Sequence, residues 1–207
     1  MRVPILLSLA LTALVLTGVA FAQDGLYAPS VPEDAALVRV VNATGATITF
    51  DAGPLRFIGV PPFSATAYRP LAGDVVVLFH AGSREVLTPD PRAFITIVAG
   101  TDSLFVVEDE RHTDPARAQV VFYNLSRGPV DFVALQPSAL LAQGVSAGGS
   151  ARRVVNSVAL VAGAGLGGEV LFEESVVLDR GASYSFFYLG GDTEPRGFVA
   201  EAAVVAE

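Results

Sequence analysis

Apolar and polar residues alternate along most of the chain, with the period of two that is typical of a β-strand with one buried face. The clearest example is the segment 46–51, ATITFD, in which every second side chain is apolar. Gly and Pro separate short runs of this kind, and no long helical period follows the first 22 residues. The pattern predicts an all-β protein. Strands are expected at residues 37–41, 46–50, 65–69, 75–79, 94–98, 104–107, 119–123, 130–135, 152–161, 169–178, 184–188 and 198–205.

One strand–turn–strand pattern occurs twice in the chain. Residues 38–50 recur as residues 120–132 at a constant offset of 82. Further on, residues 94–100 recur as residues 184–190 at an offset of 90, which implies an insertion of about eight residues in the second copy. Repetition of one small β unit is typical of tandem domains. The sequence therefore predicts two tandem antiparallel β-sandwich domains.

The first residues are typical of a cleaved secretory signal peptide. Arg2 precedes an almost wholly apolar segment, 5–20, which ends in the cleavage pattern Ala20-Phe21-Ala22. No later segment reaches the roughly 18 apolar residues that a membrane-spanning helix needs. We therefore expect export to the periplasm without an anchor; the alternative is a retained N-terminal membrane helix.

Two polar segments divide the rest of the chain. A Pro-rich lead-in follows the signal peptide, and a charged stretch that contains Pro115 separates the two copies. The expected organisation is a signal peptide at 1–22, a lead-in at 23–36, a first β-sandwich at 37–108, a linker at 109–117 and a second β-sandwich at 118–207.

The composition of the chain excludes some classes of binding partner and some kinds of catalytic or metal site. The chain carries a formal net charge of −8, contains no Cys, and has Arg as its only residue with a strongly basic side chain. The acidic charge disfavours nucleic acid and repels an anionic polysaccharide, so contact with such a polymer needs a local Arg cluster or neutral sugar faces. The lack of Cys excludes thiol catalysis and Cys-based metal sites.

Few residues suggest catalysis. His80 follows an apolar strand, His112 lies in the charged stretch, and no G-x-S-x-G elbow or comparable frame surrounds any Ser. A Ser–His–Asp device needs a base held between a nucleophile and an orienting carboxylate, and the sequence predicts no such arrangement. We therefore expect no enzyme activity, no catalytic residues, no metal site and no cofactor.

Three motifs resemble ligand or modification sites. The acidic cluster at 108–114 matches no defined Ca²⁺ loop, so a solvated linker is the favoured interpretation. The glycine-rich segment 163–168 lacks the Lys-Ser/Thr of a phosphate-binding loop and indicates a flexible hairpin loop. Asn-Ala-Thr at 42–44 and Asn-Leu-Ser at 124–126 match the N-glycosylation pattern, but their equal position in the repeat favours turns with an Asx hydrogen bond.

Arginine and tyrosine side chains are the remaining candidates for binding. The pairs Arg39 with Arg69 and Arg152 with Arg153 are candidates for carboxylate contacts, although structural salt bridges or ordinary solvation are favoured. Aromatic rings can stack on sugars, but as strand residues most are expected in the core or across from a neighbouring strand. The rings in question belong to Tyr27, Tyr68, Tyr184 and Tyr188.

The chain resembles the AlgF-type alginate biosynthesis family. The resemblance rests on L-Y-A-P-x-x-P at 26–32 and V-R-V-V-N-A at 38–43, and it continues in V-E-D at 107–109 and Y-N-L-S at 123–126. Members of that family usually carry Lys, which this chain lacks. The family is periplasmic and is required for O-acetylation of alginate.

The resemblance implies a non-catalytic adaptor for the O-acetylation of alginate or a similar exopolysaccharide. The implied partners are periplasmic SGNH-type acetyltransferase proteins and a membrane O-acyltransferase, with the polysaccharide as a further candidate. Leu26, Tyr27 and Pro29 of the lead-in are the candidate docking residues. The alternative is a free-standing glycan-binding or cell-surface adhesion module, which needs a flat platform of exposed aromatic side chains.

Overall fold

Every secondary-structure element in the described part of the chain is a β-strand, which confirms the predicted all-β class. The computed structural model describes residues 31–71, 75–191 and 196–205, so the predicted signal peptide and Leu26, Tyr27 and Pro29 lie outside it. The first copy contains β1 Ala36–Asn42, β2 Ile48–Ala52, β3 Leu55–Val60, β4 Ser64–Ala65, β5 Arg69–Leu71, β6 Val76–His80, β7 Ser83–Leu87, β8 Phe94–Ala99 and β9 Leu104–Asp109. The second contains β10 Ala118–Asn124, β11 Val130–Gln136, β12 Ser138–Val145, β13 Ser150–Val155, β14 Ala159–Leu166, β15 Glu169–Val177, β16 Ser183–Gly190 and β17 Arg196–Glu201.

The described strands form two sandwiches with the same strand order. In the first, an inner sheet runs β4–β1–β8–β9, with β5 also paired to β1, and an outer sheet runs β3–β2–β6–β7. In the second, the inner sheet runs β13–β10–β16–β17 and the outer sheet runs β12–β11–β14–β15. Each strand of one copy therefore has an equivalent in the other, with β13 in the place of β4 and β5. Most pairs are antiparallel as predicted, but β1–β8 and β10–β16 at the centre of the inner sheets are parallel.

The register of these parallel pairs corrects the predicted offset near the end of each copy. Val38 pairs with Ile95, and its equivalent Val120 pairs with Tyr184, so the true offset there is 89 and the insertion is seven residues. A shift of one residue moves a strand side chain to the opposite face of its sheet. Ile95 and Tyr184 accordingly face their own cores, whereas the ring of Phe94 packs against Tyr68.

Each sandwich has its own apolar core between its inner and outer sheets. Phe50 lies in the first core and Phe132 in the second, and both are fully buried as the alternation predicted. Val130 is also buried, and Ile48 packs against the first core while remaining partly accessible. In the second core the rings of Phe122 and Phe132 stack with centroids 4.9 Å apart.

A third apolar cluster joins the two inner sheets face to face. All seven residues of β1 and all seven of β10 are buried, so these strands are covered on both faces. The rings of Tyr123 and Phe187 stack at 4.6 Å within this cluster. Its buried members are Val41, Val98, Val121, Tyr123, Phe187 and Phe198. The described chain is therefore a four-layer stack, in which the two inner sheets meet at a seam and the two outer sheets face away from each other.

The repeated Asn residues close equivalent turns. The Asn42 side chain donates to the carbonyls of Ala46 and Val60, and its Oδ1 accepts from the backbone N–H and the hydroxyl of Thr44. Asn124 repeats the arrangement with its own neighbours. Both Asn side chains are buried. The predicted Asx turns are therefore confirmed, and buried amides of this kind leave no room for a glycan.

The glycine-rich segment 163–168 differs from the predicted loop. Residues up to Leu166 continue β14, and only Gly167 and Gly168 form the turn, with φ angles of 61° and 90°. Gly163 lies inside the strand, where the backbone of the neighbouring strand β15 passes too close for a side chain. A Cβ added at Gly163 would lie 1.9 Å from the carbonyl oxygen of Phe172, so no other residue fits without moving that strand.

Truncation of a core ring tests the two cores. We expect Phe50→Ala and Phe132→Ala each to lower the free energy of unfolding by about 3–5 kcal/mol, because each leaves a cavity. Phe79 is 64% exposed, so Phe79→Ala is the matched control and should change that free energy by about 0.5 kcal/mol or less. Urea unfolding followed by circular dichroism measures all three. Equal losses at the three positions would contradict the assignment of the cores.

Candidate functional site

Residues 203–205 close one side of the seam between the domains. The backbone N–H of Tyr68 donates to the carbonyl of Ala203 at 2.8 Å, and that of Val205 donates to the carbonyl of Tyr68 at 2.9 Å. Residues that follow the last strand of the second domain thus pair with the first domain, in a parallel bridge between Tyr68 and Val204. The two domains are joined by backbone hydrogen bonds as well as by apolar packing.

A single arginine occupies the centre of this seam. Arg39 lies on β1 and is 0% exposed, because its side chain points from the first inner sheet into the second. Its Nε donates to Thr96 Oγ1 at 2.8 Å, and its Nη2 donates to Tyr123 Oη and Ser185 Oγ, each at 2.9 Å. Two of these acceptors belong to the second domain, so the guanidinium links both domains directly.

Aromatic rings surround the same guanidinium. Its Cζ lies 4.7 Å from the ring centroid of Tyr68, 5.5 Å from that of Phe187 and 5.7 Å from that of Tyr123. A cation over the face of an aromatic ring is attracted by the ring quadrupole, and the attraction is stronger where water is excluded. The rings thus replace part of the hydration that Arg39 loses on burial.

Asp109 supplies the opposite charge through intervening hydroxyl groups. Its carboxylate accepts from Tyr68 Oη at 2.7 Å, from Thr96 Oγ1 at 2.5 Å and from Tyr123 Oη at 2.5 Å. Thr96 and Tyr123 also accept from Arg39, so each hydroxyl stands between the cation and the anion. Asp109, where the predicted linker begins, is the last residue of β9 and is half-buried, not part of a solvated segment.

This network fixes the protonation of its members. Burial alone would lower the pKa of Arg39, but Tyr123, Tyr68 and Asp109 outweigh it and raise that pKa above its ordinary value. Burial, reinforced by the Asp109 carboxylate and opposed by Arg39, raises the pKa of both Tyr68 and Tyr123 well above the usual range. Both phenols therefore remain neutral hydrogen-bond donors at any physiological pH.

A cavity of about 220 Å³ opens beside the network. It reaches inward to Arg39 and Gln119 and outward to the exposed residues Arg111 and Val204. Arg39 and Gln119 each carry one buried polar atom, Nη1 and Oε1 respectively, that has no hydrogen-bond partner among the described residues. Buried polar atoms are almost always hydrogen-bonded, so these two atoms distinguish the seam from an ordinary protein interior.

The two histidine rings each contact a backbone carbonyl. His80 Nε2 contacts the carbonyl oxygen of Gly100 at 2.5 Å, and His112 Nε2 contacts that of Arg117 at 2.8 Å. A ring nitrogen that faces a carbonyl carries its proton and acts as a donor, not as a base. Within the described ranges, no group of three or more His, Asp and Glu side chains is arranged to hold a metal ion.

The predicted arginine and tyrosine candidates have mainly structural contacts. Arg152 forms an ion pair with Glu110, and Arg153 Nε donates to the carbonyl of Leu141. All four tyrosines in the described part of the chain are buried, as expected for Tyr68, Tyr184 and Tyr188. Tyr27 lies outside that part. Sequence reasoning selected Arg39 but missed Thr96 and Ser185, which accept hydrogen bonds from it, and Gln119, which lines the same cavity.

Comparison with known families decides the identity of the chain. The model of a family described as alginate O-acetyl transferase AlgF matches residues 6–185. The chain belongs to this family. Membership of the AlgF family implies involvement in alginate O-acetylation, as the resemblance predicted. No curated protein matches the chain. Among the described residues there is no helix of the length and hydrophobicity needed to cross a membrane.

The tyrosine hydroxyls predict how stability depends on pH. Above a pH of about 10, tyrosines of the unfolded chain ionise, whereas Tyr68 and Tyr123 stay protonated in the fold. Their contribution is therefore complete below pH 10, and the free energy of unfolding falls above it by up to about 1.4 kcal/mol per pH unit for each residue. Urea unfolding at several pH values should show a shallower fall for Tyr68→Phe/Tyr123→Phe. Identical slopes would contradict the burial of these phenols.

Proposed function

We propose that the protein is a non-catalytic periplasmic adaptor that bridges acetyl-handling proteins in the O-acetylation of alginate or a similar exopolysaccharide. Membership of the AlgF family indicates the process, which is alginate O-acetylation. The observation that carries the adaptor role is that the two outer sheets present exposed apolar side chains on opposite sides of the four-layer stack. Exposed apolar patches on a protein mark sites of interaction.

The first patch lies on the outer face of β6 and β7. Leu78 points into the core, so Val77 and Phe79 on either side of it point outward. Val86 is the cross-strand partner of Val77, and Phe79 lies opposite Arg84. The result is an apolar surface centred on Phe79 with a cationic group at its margin, which suits an apolar partner surface with an acidic rim.

The second patch lies on the outer sheet of the second domain. Phe132 and Ala134 face the core, so Val133 between them faces outward. A shallow groove of about 250 Å³ runs beside it, bordered by the exposed side chains of Leu140 and Val170. The groove is mainly apolar and therefore also suits a protein partner.

The distance between the patches favours two partners. Stacked sheets pack about 10 Å apart, so the outer faces of a four-layer stack lie about 30 Å from each other and point in opposite directions. One small partner does not cover both faces. Two partners can bind at once, held in a fixed relative orientation by the buried seam between the domains.

The contacts of the two histidines support a non-catalytic role. Among the described residues each ring forms one hydrogen bond, to the carbonyl of Gly100 for His80 and to that of Arg117 for His112. Neither contact is the nucleophile–base or base–carboxylate bond that acyl transfer by a Ser–His–Asp device needs. The Ser–His–Asp chemistry is therefore assigned to SGNH-type partners, and the acetyl supply to a membrane O-acyltransferase.

A glycan-binding or adhesion module is the weaker alternative. Such a module needs a flat platform of exposed rings, but among the described residues Phe79 is the only exposed large aromatic side chain. A single ring among aliphatic neighbours is better suited to protein contact than to a sugar chain. The lead-in residues Leu26, Tyr27 and Pro29 remain a proposed additional docking segment.

Genetic complementation tests the adaptor role. Deletion of the gene should leave polymer synthesis intact and abolish its acetylation. Variants Phe79→Glu and Leu140→Glu should fold but restore little acetylation, because each places a charge on a partner surface. Tyr27→Ala should weaken partner capture in the same way. Thr101→Glu, which adds the same charge at an exposed turn, is the control and should complement fully.

Pull-downs from the complemented strains identify the partner of each face. Phe79→Glu and Leu140→Glu should each lose a different acetylation protein. Normal acetylation in the deletion strain would contradict the proposal, and recovery of polymer without any acyltransferase-associated protein would favour the glycan-binding alternative.

An enzymatic assay tests the non-catalytic part separately. We expect the purified protein to release no acetate from acetylated polymer or from a chromogenic acetyl ester, because the His80 and His112 rings each contact a backbone carbonyl and, among the described residues, neither is hydrogen-bonded to a Ser hydroxyl or a carboxylate. His80→Ala and His112→Ala are the diagnostic variants. Turnover by the wild-type protein that either variant abolishes would overturn the proposal.

A further inference from the structure

We infer that the protein associates with itself head to tail, with the outer face of the first domain of one copy packed on the outer face of the second domain of the next copy. This association goes beyond the adaptor role, because the occupant of each face is a second copy of this chain and no other protein is needed. Three features support it: the side chains that face outward, the opposite charges of the two faces and the directions in which the faces point.

The outer face of the first domain is apolar and carries a positive charge. Its exposed ring, Phe79, lies opposite Arg84 on β7, so both side chains point away from the core. Asp51 and its cross-strand partner Arg56 also point outward, and they form an ion pair at 3.4 Å. On the four strands of this sheet, two outward-facing arginines thus stand against one outward-facing carboxylate. The excess is one positive charge, beside an apolar surface.

The outer face of the second domain is apolar and carries negative charge. Val133 and its cross-strand partner Leu140 form its apolar centre. Asp131 and Glu169 line the groove beside them, and Glu173 points outward because the preceding ring on β15 lies in the core. None of the four strands of this sheet, all of which the structure describes, contains a basic residue. This is the acid-rimmed apolar surface that suits the face around Phe79.

Charge selects contact between unlike faces over contact between like faces. Two outer faces of the second domain would bring three carboxylates of one copy against three of another, and like charges in an interface repel each other. Contact between unlike faces instead sets Arg84 against those carboxylates. The net charge of −8 opposes any association at long range, but at physiological ionic strength the Debye length is about 8 Å. Charges outside the interface are therefore largely screened, and the complementary charges within it decide which faces meet.

The area of the faces indicates a weak association. Each outer sheet has four strands, so the strand spacing and the rise per residue give a face of about 20 Å by 20 Å, or about 400 Å². Two such faces bury about 800 Å² in total, which is below the roughly 1,200 Å² of stable interfaces. We therefore expect a dissociation constant on the order of 0.1–1 mM.

The directions of the faces indicate an open chain of copies. The two outer faces point in opposite directions, so a contact between unlike faces does not close into a symmetric dimer and can add one copy after another. The two ends of such a chain keep one free face of each kind. Self-association therefore leaves surfaces to which the partners of the adaptor can bind.

Sedimentation velocity of the purified protein tests this association with no partner present. The weight-average sedimentation coefficient should rise continuously from tens of micromolar to about 1 mM protein, and it should not level off at the value of a dimer. A protein that stays monomeric at about 1 mM would overturn the inference. A coefficient that levels off at the value of a dimer would also overturn it, because a closed dimer needs contact between like faces.

Two variants that each disable one face give the sharpest test. Phe79→Glu disables the first face and Leu140→Glu the second, so each variant alone should associate at least about tenfold more weakly than the wild type. An equimolar mixture still contains one intact face of each kind, so it should form 1:1 dimers and nothing larger. Thr101→Glu is the control and should associate like the wild type. A mixture that stays monomeric, or either variant alone associating like the wild type, would contradict contact between unlike faces.

Charge reversal tests the complementarity with substitutions of exposed side chains. Arg84→Glu should weaken association about threefold to tenfold, whereas Arg84→Lys, which keeps the charge, should weaken it about twofold or less. Arg180→Glu makes the same reversal at an exposed turn outside both outer sheets and should associate like the wild type. Equal effects of Arg84→Glu and Arg180→Glu would contradict the inference. If Phe79→Glu or Leu140→Glu does not fold, this pair still decides.

Self-association and the adaptor role fail separately. Sedimentation uses the purified protein alone, so a monomeric wild type would overturn self-association and leave the capture of partners in pull-downs unchanged. Normal acetylation in the deletion strain would contradict the adaptor role and leave the sedimentation of the purified protein unchanged.

Discussion

The buried guanidinium of Arg39 is the constraint on which the arrangement of the two domains depends. A buried charge without partners is strongly unfavourable, and here the partners come from both sides of the seam: Thr96 from the first domain, Tyr123 and Ser185 from the second. The surrounding apolar cluster supplies the buried area, but apolar contacts are not directional. The hydrogen bonds therefore select one relative orientation of the domains, which is the best-supported use of a buried polar group.

The seam is formed by equivalent strands whose side chains have diverged. Arg39 on β1 corresponds to Val121 on β10, and Val41 corresponds to Tyr123. At the first position the first copy has a charged side chain and the second has an apolar one. At the second position the first copy has an apolar side chain and the second has a hydroxyl group. Two identical copies would place two guanidinium groups at the seam, and like charges at close range repel each other. Because β1 and β10 differ at these positions, their surfaces are complementary, whereas two identical copies could not pair at the seam.

Much of the fold could be predicted because it follows from local patterns. The alternation of apolar residues identified the strands and the core positions of Phe50 and Phe132, and the repeated Asn identified the turns. The seam could not be predicted, because side-chain periodicity shows that a residue is buried but not what it contacts. The parallel pairing of β1 with β8 sets Arg39 beside Thr96, 57 residues along the chain. One signal was present: an arginine within the otherwise apolar run of residues 37–41, whose repeat equivalent is Val121.

The net charge of the chain favours contact with proteins over contact with an acidic polymer. With a net charge of −8, the chain repels a polyanion at long range, so a long stretch of acidic polysaccharide cannot bind across its surface without opposing that field. Apolar patches on the outer sheets are little affected by this repulsion and suit protein partners.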